Sequence, residues 1–111
     1  MYLKIPGQNI TIKEYKKLKE RFVSLKFYLY PIDFGICFPK KKYFSTSFFC
    51  QRVDLCFTDN DYKILYLHSN VKSEKRFLHL KSKNVFVFPV GTNQFFEVGD
   101  TLRIRENEKK D

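Results

Sequence analysis

A chain of 111 residues, 43% hydrophobic and 30% charged, fits one soluble globular domain with apolar content for a single core. It excludes a disordered or membrane class, and no apolar run approaches the length of a membrane-spanning helix. The net charge of +9 attracts polyanions such as nucleic acid, although lysines filling solvent-facing positions give the same total.

The start, "MYLKIPGQN", lacks a basic segment leading into a long apolar one, so no signal peptide is read and a cytoplasmic location is expected. Thirteen Phe and seven Tyr make 18% of the chain aromatic, which favours pleated, half-buried surfaces and a β-rich core. "MYLKI" reads as a short strand ended by Pro6-Gly7. Thr11 followed by Glu14 has capping-box spacing, which predicts a helix over 12–26. Ile12, Tyr15, Leu18, Phe22 and Leu25 would form its apolar stripe.

After Phe27 the pattern turns to strands. "FGICF" is a short apolar run closed by Pro39 and the basic turn Lys40, Lys41 and Lys42. In "RVDLCFT", Val53, Leu55 and Phe57 point one way while Arg52, Asp54, Cys56 and Thr58 point the other. "DNDY" is a turn of residues that bond their own backbone, and "KILYLH" resumes as a strand, so Arg52 to His68 is predicted to be a hairpin. "RFLHL", "VFVFP" and "TLRIRE" supply further strands, with a turn at Gly99-Asp100. The expectation is one domain over residues 1–106 with a polar tail at 107–111. Its class is mostly β, an antiparallel sandwich or barrel with one packed N-terminal helix.

This order of segments resembles the family called domain of unknown function 192 (DUF192), from about Thr11 to Ile104. "SLKF" stands where the family has a Gly-Leu-Met segment, and Gly35 opens the Gly-led strand. Thr46, Asp54 eight residues later, Asp59, Pro89-x-Gly91 and Gly99-Asp100 match the family's remaining positions. Phe49 replaces a methionine and Val87 a glutamate, so a site relying on that glutamate would lack it here. The resemblance implies the same compact β fold with a packed helix, and no established activity comes with it.

The chemistry-bearing residues are sparse. Cys37, Cys50 and Cys56 fit no C-x-x-C spacing, and in apolar runs they act as small hydrophobes. Two histidines, His68 and His79, are too few for a metal centre without further ligands, and Gly-rich phosphate loops are absent. No nucleophile elbow or Cys-His signature is readable, so no catalytic residue, metal or cofactor is assigned, and an enzyme of unknown reaction is the weakest reading.

Binding is the stronger class. The primary expectation is an interaction module for a protein or small ligand, with Thr46, Asp54 and Asp100 as candidate binding residues. The alternative is non-specific single-stranded nucleic-acid binding through Lys40, Lys41, Lys42, Lys75 and Arg76. Exposed aromatics within the lysine surface would favour the second; an apolar cleft beside Asp54 and Asp100 would favour a ligand. No membrane partner is expected. Asp54 itself, set in an apolar run, is expected to be a buried carboxylate that pins the Thr46–Phe49 loop through backbone N–H groups and hydroxyls.

Overall fold

The computed structural model describes residues 1–14, 32–47 and 49–105. Over these the chain is mostly β, a curled seven-stranded sheet that forms a half-barrel. Strands β1 (Tyr2–Ile5) and β2 (Gln8–Glu14) make a hairpin about Pro6-Gly7, with Gly7 at φ 87°. β2 lies parallel to β3 (Gly35–Pro39), and β3 is antiparallel to β8 (Asn84–Phe88). β8 in turn pairs with β5 (Val53–Thr58), and β5 with β6 (Ile64–Val71). The full order is β6-β5-β8-β3-β2-β1-β9, with β9 at Ile104–Arg105. β4 (Tyr43–Ser45) and β7 (Arg76–Leu78) form a separate two-stranded sheet.

The helix expected over 12–26 is corrected at its start. Ile12, Lys13 and Glu14 belong to β2, and Thr11 pairs with Tyr2 rather than capping a helix. The reason is local: Ile10 and Ile12 are buried while Thr11 and Lys13 are exposed, a two-residue period that the hairpin with β1 satisfies. Residues 15–26 of that expectation, and the whole polar tail at 107–111, lie outside the described residues. Among the described residues the longest helical piece is a single 3₁₀ turn at Thr92–Phe95.

The expected alternation of β5 holds, and both of its faces are covered. Val53, Leu55 and Phe57 enter one core cluster with Ile36, Phe38, Val85 and Val87. Cys56 enters a second cluster on the opposite face with Cys37, Phe86, Phe88, Ile10 and Ile12. Val87, at the place of the expected family glutamate, is fully buried in the first cluster. Gly35 is fixed by packing: a Cβ there would sit 2.9 Å from Cδ1 of the buried Phe88 ring.

Candidate functional site

Asp54 is 1% exposed and its carboxylate is filled by three backbone donors. Oδ1 accepts from the N–H of Asn70 at 2.8 Å; Oδ2 accepts from those of Gly91 and Asn93 at 3.0 and 2.9 Å. The pairing of β5 with β6 steps from Val53–Val71 to Leu55–His68, so Asp54 faces two residues, Ser69 and Asn70. This is a β-bulge, and Asn70 takes φ 54°, a left-handed conformation that asparagine tolerates. The bulge takes the Asn70 N–H out of the ladder, and Asp54 receives it. Asp54 is therefore a buried pin, as expected, but of different loops. It holds the β6 bulge and the Gly91–Asn93 turn, not the Thr46–Phe49 loop, because its side chain leaves β5 on the face opposite Val53 and Leu55.

Asn93, which the sequence did not single out, completes this anchor. Its Nδ2 donates to the carbonyls of Leu55 and His68 at 3.1 and 3.3 Å and meets Ser69 Oγ at 3.4 Å. Its Oδ1 is buried without a partner among the described residues.

Thr46 is fully buried and grips the connection from β6 to β7. Its hydroxyl donates to the carbonyl of Lys72 at 2.8 Å and accepts from the N–H of Lys75 at 3.0 Å. Its own N–H donates to the Lys75 carbonyl at 2.9 Å, and its carbonyl accepts from Glu74 at 3.3 Å. Thr46 and Asp54 thus both act as anchors beneath the surface. Asp100 sits elsewhere: exposed, its Oδ2 accepts from the N–H of Glu97 at 2.9 Å in the turn at Gly99. It lines a hollow of about 550 Å³ with Lys4, Phe95, Phe96 and Arg103. Asp54 and Asp100 line separate hollows, so the single apolar cleft beside both is not formed.

What Thr46 and Asp54 support is a basic hollow of about 470 Å³ over the β6–β7 connection. Arg52, Lys72 and Lys75 line it together with Phe77, His68 and residues 69–71. Arg52 is held by donating to the Asn70 carbonyl at 3.2 Å. All three cations are exposed, as is neighbouring Arg76. The basic tip at Lys40–Lys42 is knitted to the loop before β8 instead. Lys42 Nζ donates to the Leu80 carbonyl at 2.8 Å, Lys41 N–H to the Lys83 carbonyl, and the buried Ser82 hydroxyl to the Lys41 carbonyl. Of the tip, Lys40 and Lys42 stand exposed, Lys42 with its ammonium tied down.

Beside the hollow, four rings close the gap between β6 and the β4–β7 sheet. Tyr66 stacks on His79 at 3.8 Å, and His68 on Phe77 at 4.2 Å. Phe57 supports both histidines edge-on from the core. Tyr66 is 39% exposed, and Tyr43 on β4 is 45% exposed. The two histidine Nε2 atoms lie 2.9 Å apart, in hydrogen-bond contact. Burial holds both imidazoles below the ordinary histidine range, and at His68 the neighbouring His79 adds to the effect. Among the described residues no group of three or more His, Cys, Asp or Glu could hold a metal ion.

No family model matches the chain, and no curated protein matches it. Solved structures do. A protein of unknown function from Novosphingobium aromaticivorans superposes with a TM-score of 0.75 at 14% identity, over 93% of this chain and 82% of its own. A candidate transcription regulator from Sinorhizobium meliloti gives 0.77 at 16% identity, over 92% of this chain and 89% of its own. At these identities the likeness establishes the fold alone. Among the described residues no helix is long and apolar enough to cross a membrane.

Proposed function

We propose that the protein is a small binding module whose partner is a polyanion, with single-stranded nucleic acid as the chemistry that fits its surface. The observation that carries this reading is the pre-built hollow of Arg52, Lys72 and Lys75, walled by Phe77 and His68, with the partly exposed Tyr66 ring joined to His68 through His79. Charge tracks a phosphate backbone and an aromatic face stacks a base, without sequence readout. Exposed Tyr66 and Tyr43 support this reading, as does the placing of Asp54 and Asp100 in separate hollows rather than one cleft. The module stands on the DUF192 resemblance for its family, as a divergent member. Its matched Gly91 and Gly99 occupy left-handed positions, at φ 99° and 100°, that call for glycine. The Sinorhizobium protein's description points the same way in kind, but at 16% identity it lends only the fold.

The test is fluorescence anisotropy with a labelled oligothymidylate at low salt, repeated as salt is raised. Affinity should fall steeply with salt, and K72E/K75E should weaken it well beyond K40E/K41E, because the tip's backbone and Lys42 are engaged with the 80–83 loop. Absence of binding at about 20 mM salt with folded protein in excess discards the reading.

A second reading is favoured by the hollow at Lys4, Arg103, Phe95 and Phe96, whose rings and cations suit a small anionic ligand. If that site is the working one, anionic fragments should shift the amides of Thr101 and Arg103 while the oligonucleotide leaves both hollows unperturbed.

A further inference from the structure

The histidine pair has a geometry that limits what it can hold. The ring planes are 9° apart, the Nε2 atoms are 2.9 Å apart, and the ring centroids are only 5.2 Å apart. The rings therefore lie nose to nose in nearly one plane, with one nitrogen aimed straight at the other. That is the arrangement of a single N–H···N bond. One ring donates from Nε2 and carries its lone pair on Nδ1; the other accepts at Nε2 and carries its proton on Nδ1. A proton added to the donor ring's Nδ1 leaves the bond intact and makes it charge-assisted. A second added proton has only the bridging nitrogen to go to, where two N–H groups would collide. The pair accommodates one positive charge, not two.

The surroundings set when that charge enters. His68 is part of the hollow's wall, with Arg52, Lys72 and Lys75 as the other charged groups there. β5 presents Phe57 to both rings, β6 presents Tyr66, and β7 presents Phe77. Lys42 lies near the chain after His79 with its ammonium on the Leu80 carbonyl. Asp54, the carboxylate beneath the hollow, is filled by three backbone N–H donors. An empty hollow thus disfavours a further cation, and burial acts in the same direction on both rings. An anion seated among Arg52, Lys72 and Lys75 reverses the balance.

We propose that this hollow is a phosphate-group subsite that takes up one proton with its anion, and that the His68–His79 pair is where the proton is held. The inference rests on the polyanion reading above and adds the identity of the subsite and its control by pH. The pair binds no second proton without breaking, so coupling is limited to one: affinity for a phosphodiester rises as pH falls, by at most about tenfold per pH unit. The phosphodiester keeps its single charge across this range, so the dependence belongs to the protein.

The experiment measures oligothymidylate affinity by anisotropy at about pH 7.5 and pH 5.5 and constant ionic strength, on the full chain and on H68F/H79F, which keeps ring packing. In parallel, the histidine Cε1 proton resonances of the unaltered protein are titrated with and without the oligonucleotide, so that poor folding of the variant does not decide the matter. The expected result is tighter binding at the lower pH, loss of that ratio in the variant, and an upward shift of the histidine titration in the complex. Equal pH ratios in parent and variant, with histidine titrations unmoved by the oligonucleotide, overturn the proton coupling while leaving the polyanion reading in place. No binding at either pH removes that reading and the subsite with it.

Discussion

Thr46 and Asp54, eight residues apart in the chain, hold the two ends of one surface segment. Asp54 Oδ1 takes the N–H of Asn70 at 2.8 Å, and Thr46 Oγ1 takes the N–H of Lys75 at 3.0 Å while donating to the Lys72 carbonyl. Between these grips the chain makes its turn from β6 to β7, with Asn70 and Glu74 in left-handed conformations. A segment carrying two lysines and two left-handed residues would not keep one shape unaided, since neither charge repulsion nor backbone preference favours it. Buried hydrogen bonds from below fix it, and so pre-organise the cationic surface above.

Thr46→Val keeps the shape of the side chain and removes the hydroxyl's hydrogen bonds. It leaves the Lys75 N–H and the Lys72 carbonyl without that partner, a loss of about 1–3 kcal/mol in urea unfolding. Oligonucleotide affinity should fall as well, under conditions where the variant is still fully folded, because the turn is no longer held. Thr46→Ser should restore most of both. A Val variant that binds at parental strength would show that Thr46 serves stability alone.

Gly35→Ala tests the packing of β3 against β8. The added methyl meets the Phe88 ring at 2.9–3.0 Å, and that ring is fully buried between Phe86 and Phe96. Overpacking of this kind costs about 1–3 kcal/mol. Gly35→Ala combined with Phe88→Leu should recover part of the loss, since the smaller side chain makes room. If the alanine variant melts at the parental temperature, the approach of β3 to Phe88 is looser than described.

The strands of the second half were legible because their pattern is local. The buried Val53-Leu55-Phe57 face, the Asp59 turn and the Gly99-Asp100 turn all follow from residues within a few positions of one another. "TIKE" was misread because Thr11 and Glu14 satisfy a capping spacing and a two-residue period at once, and only pairing with β1 decides between them. Asp54 was recognisable as buried from its apolar neighbours, but its donors lie 16 to 39 residues away and depend on a bulge that no local pattern announces. The meeting of His68 with His79 was hidden for the same reason: it needs β7 to pack over β6, and the contact is made by side chains rather than by a shared ladder.

Acid should destabilise the protein through the same two rings. In the unfolded chain both histidines titrate near the ordinary value of about 6.5, and in the fold both are held lower, chiefly by burial. Between the two values the unfolded state carries more protons, so stability falls as pH drops through about 6.5 and is fully present above it. Urea midpoints measured from about pH 7.5 to 5.5 should decline more steeply for the parent than for H68F/H79F. Parallel declines would assign the acid sensitivity to other groups.

Asp54 gives the sharpest test of the anchor. Asp54→Ala removes the acceptor from three backbone N–H groups at once, of which that of Asn93 is buried. Each buried donor left without an acceptor costs about 1–3 kcal/mol, so the loss should reach about 3 kcal/mol or more if the Gly91–Asn93 turn cannot rearrange to water. Asp54→Asn should lose less, since one oxygen still serves either the bulge or the turn. It cannot serve both, because its amide would face N–H donors on the other side. The two variants should therefore rank Ala, then Asn, then parent in urea unfolding at neutral pH. Amide hydrogen exchange separates the two ends of the grip: protection at Asn70, Gly91 and Asn93 should drop in both variants before protection in β3 and β8 does. Two variants as stable as the parent, with those three amides still protected, would mean that the carboxylate is not what holds the bulge and the turn.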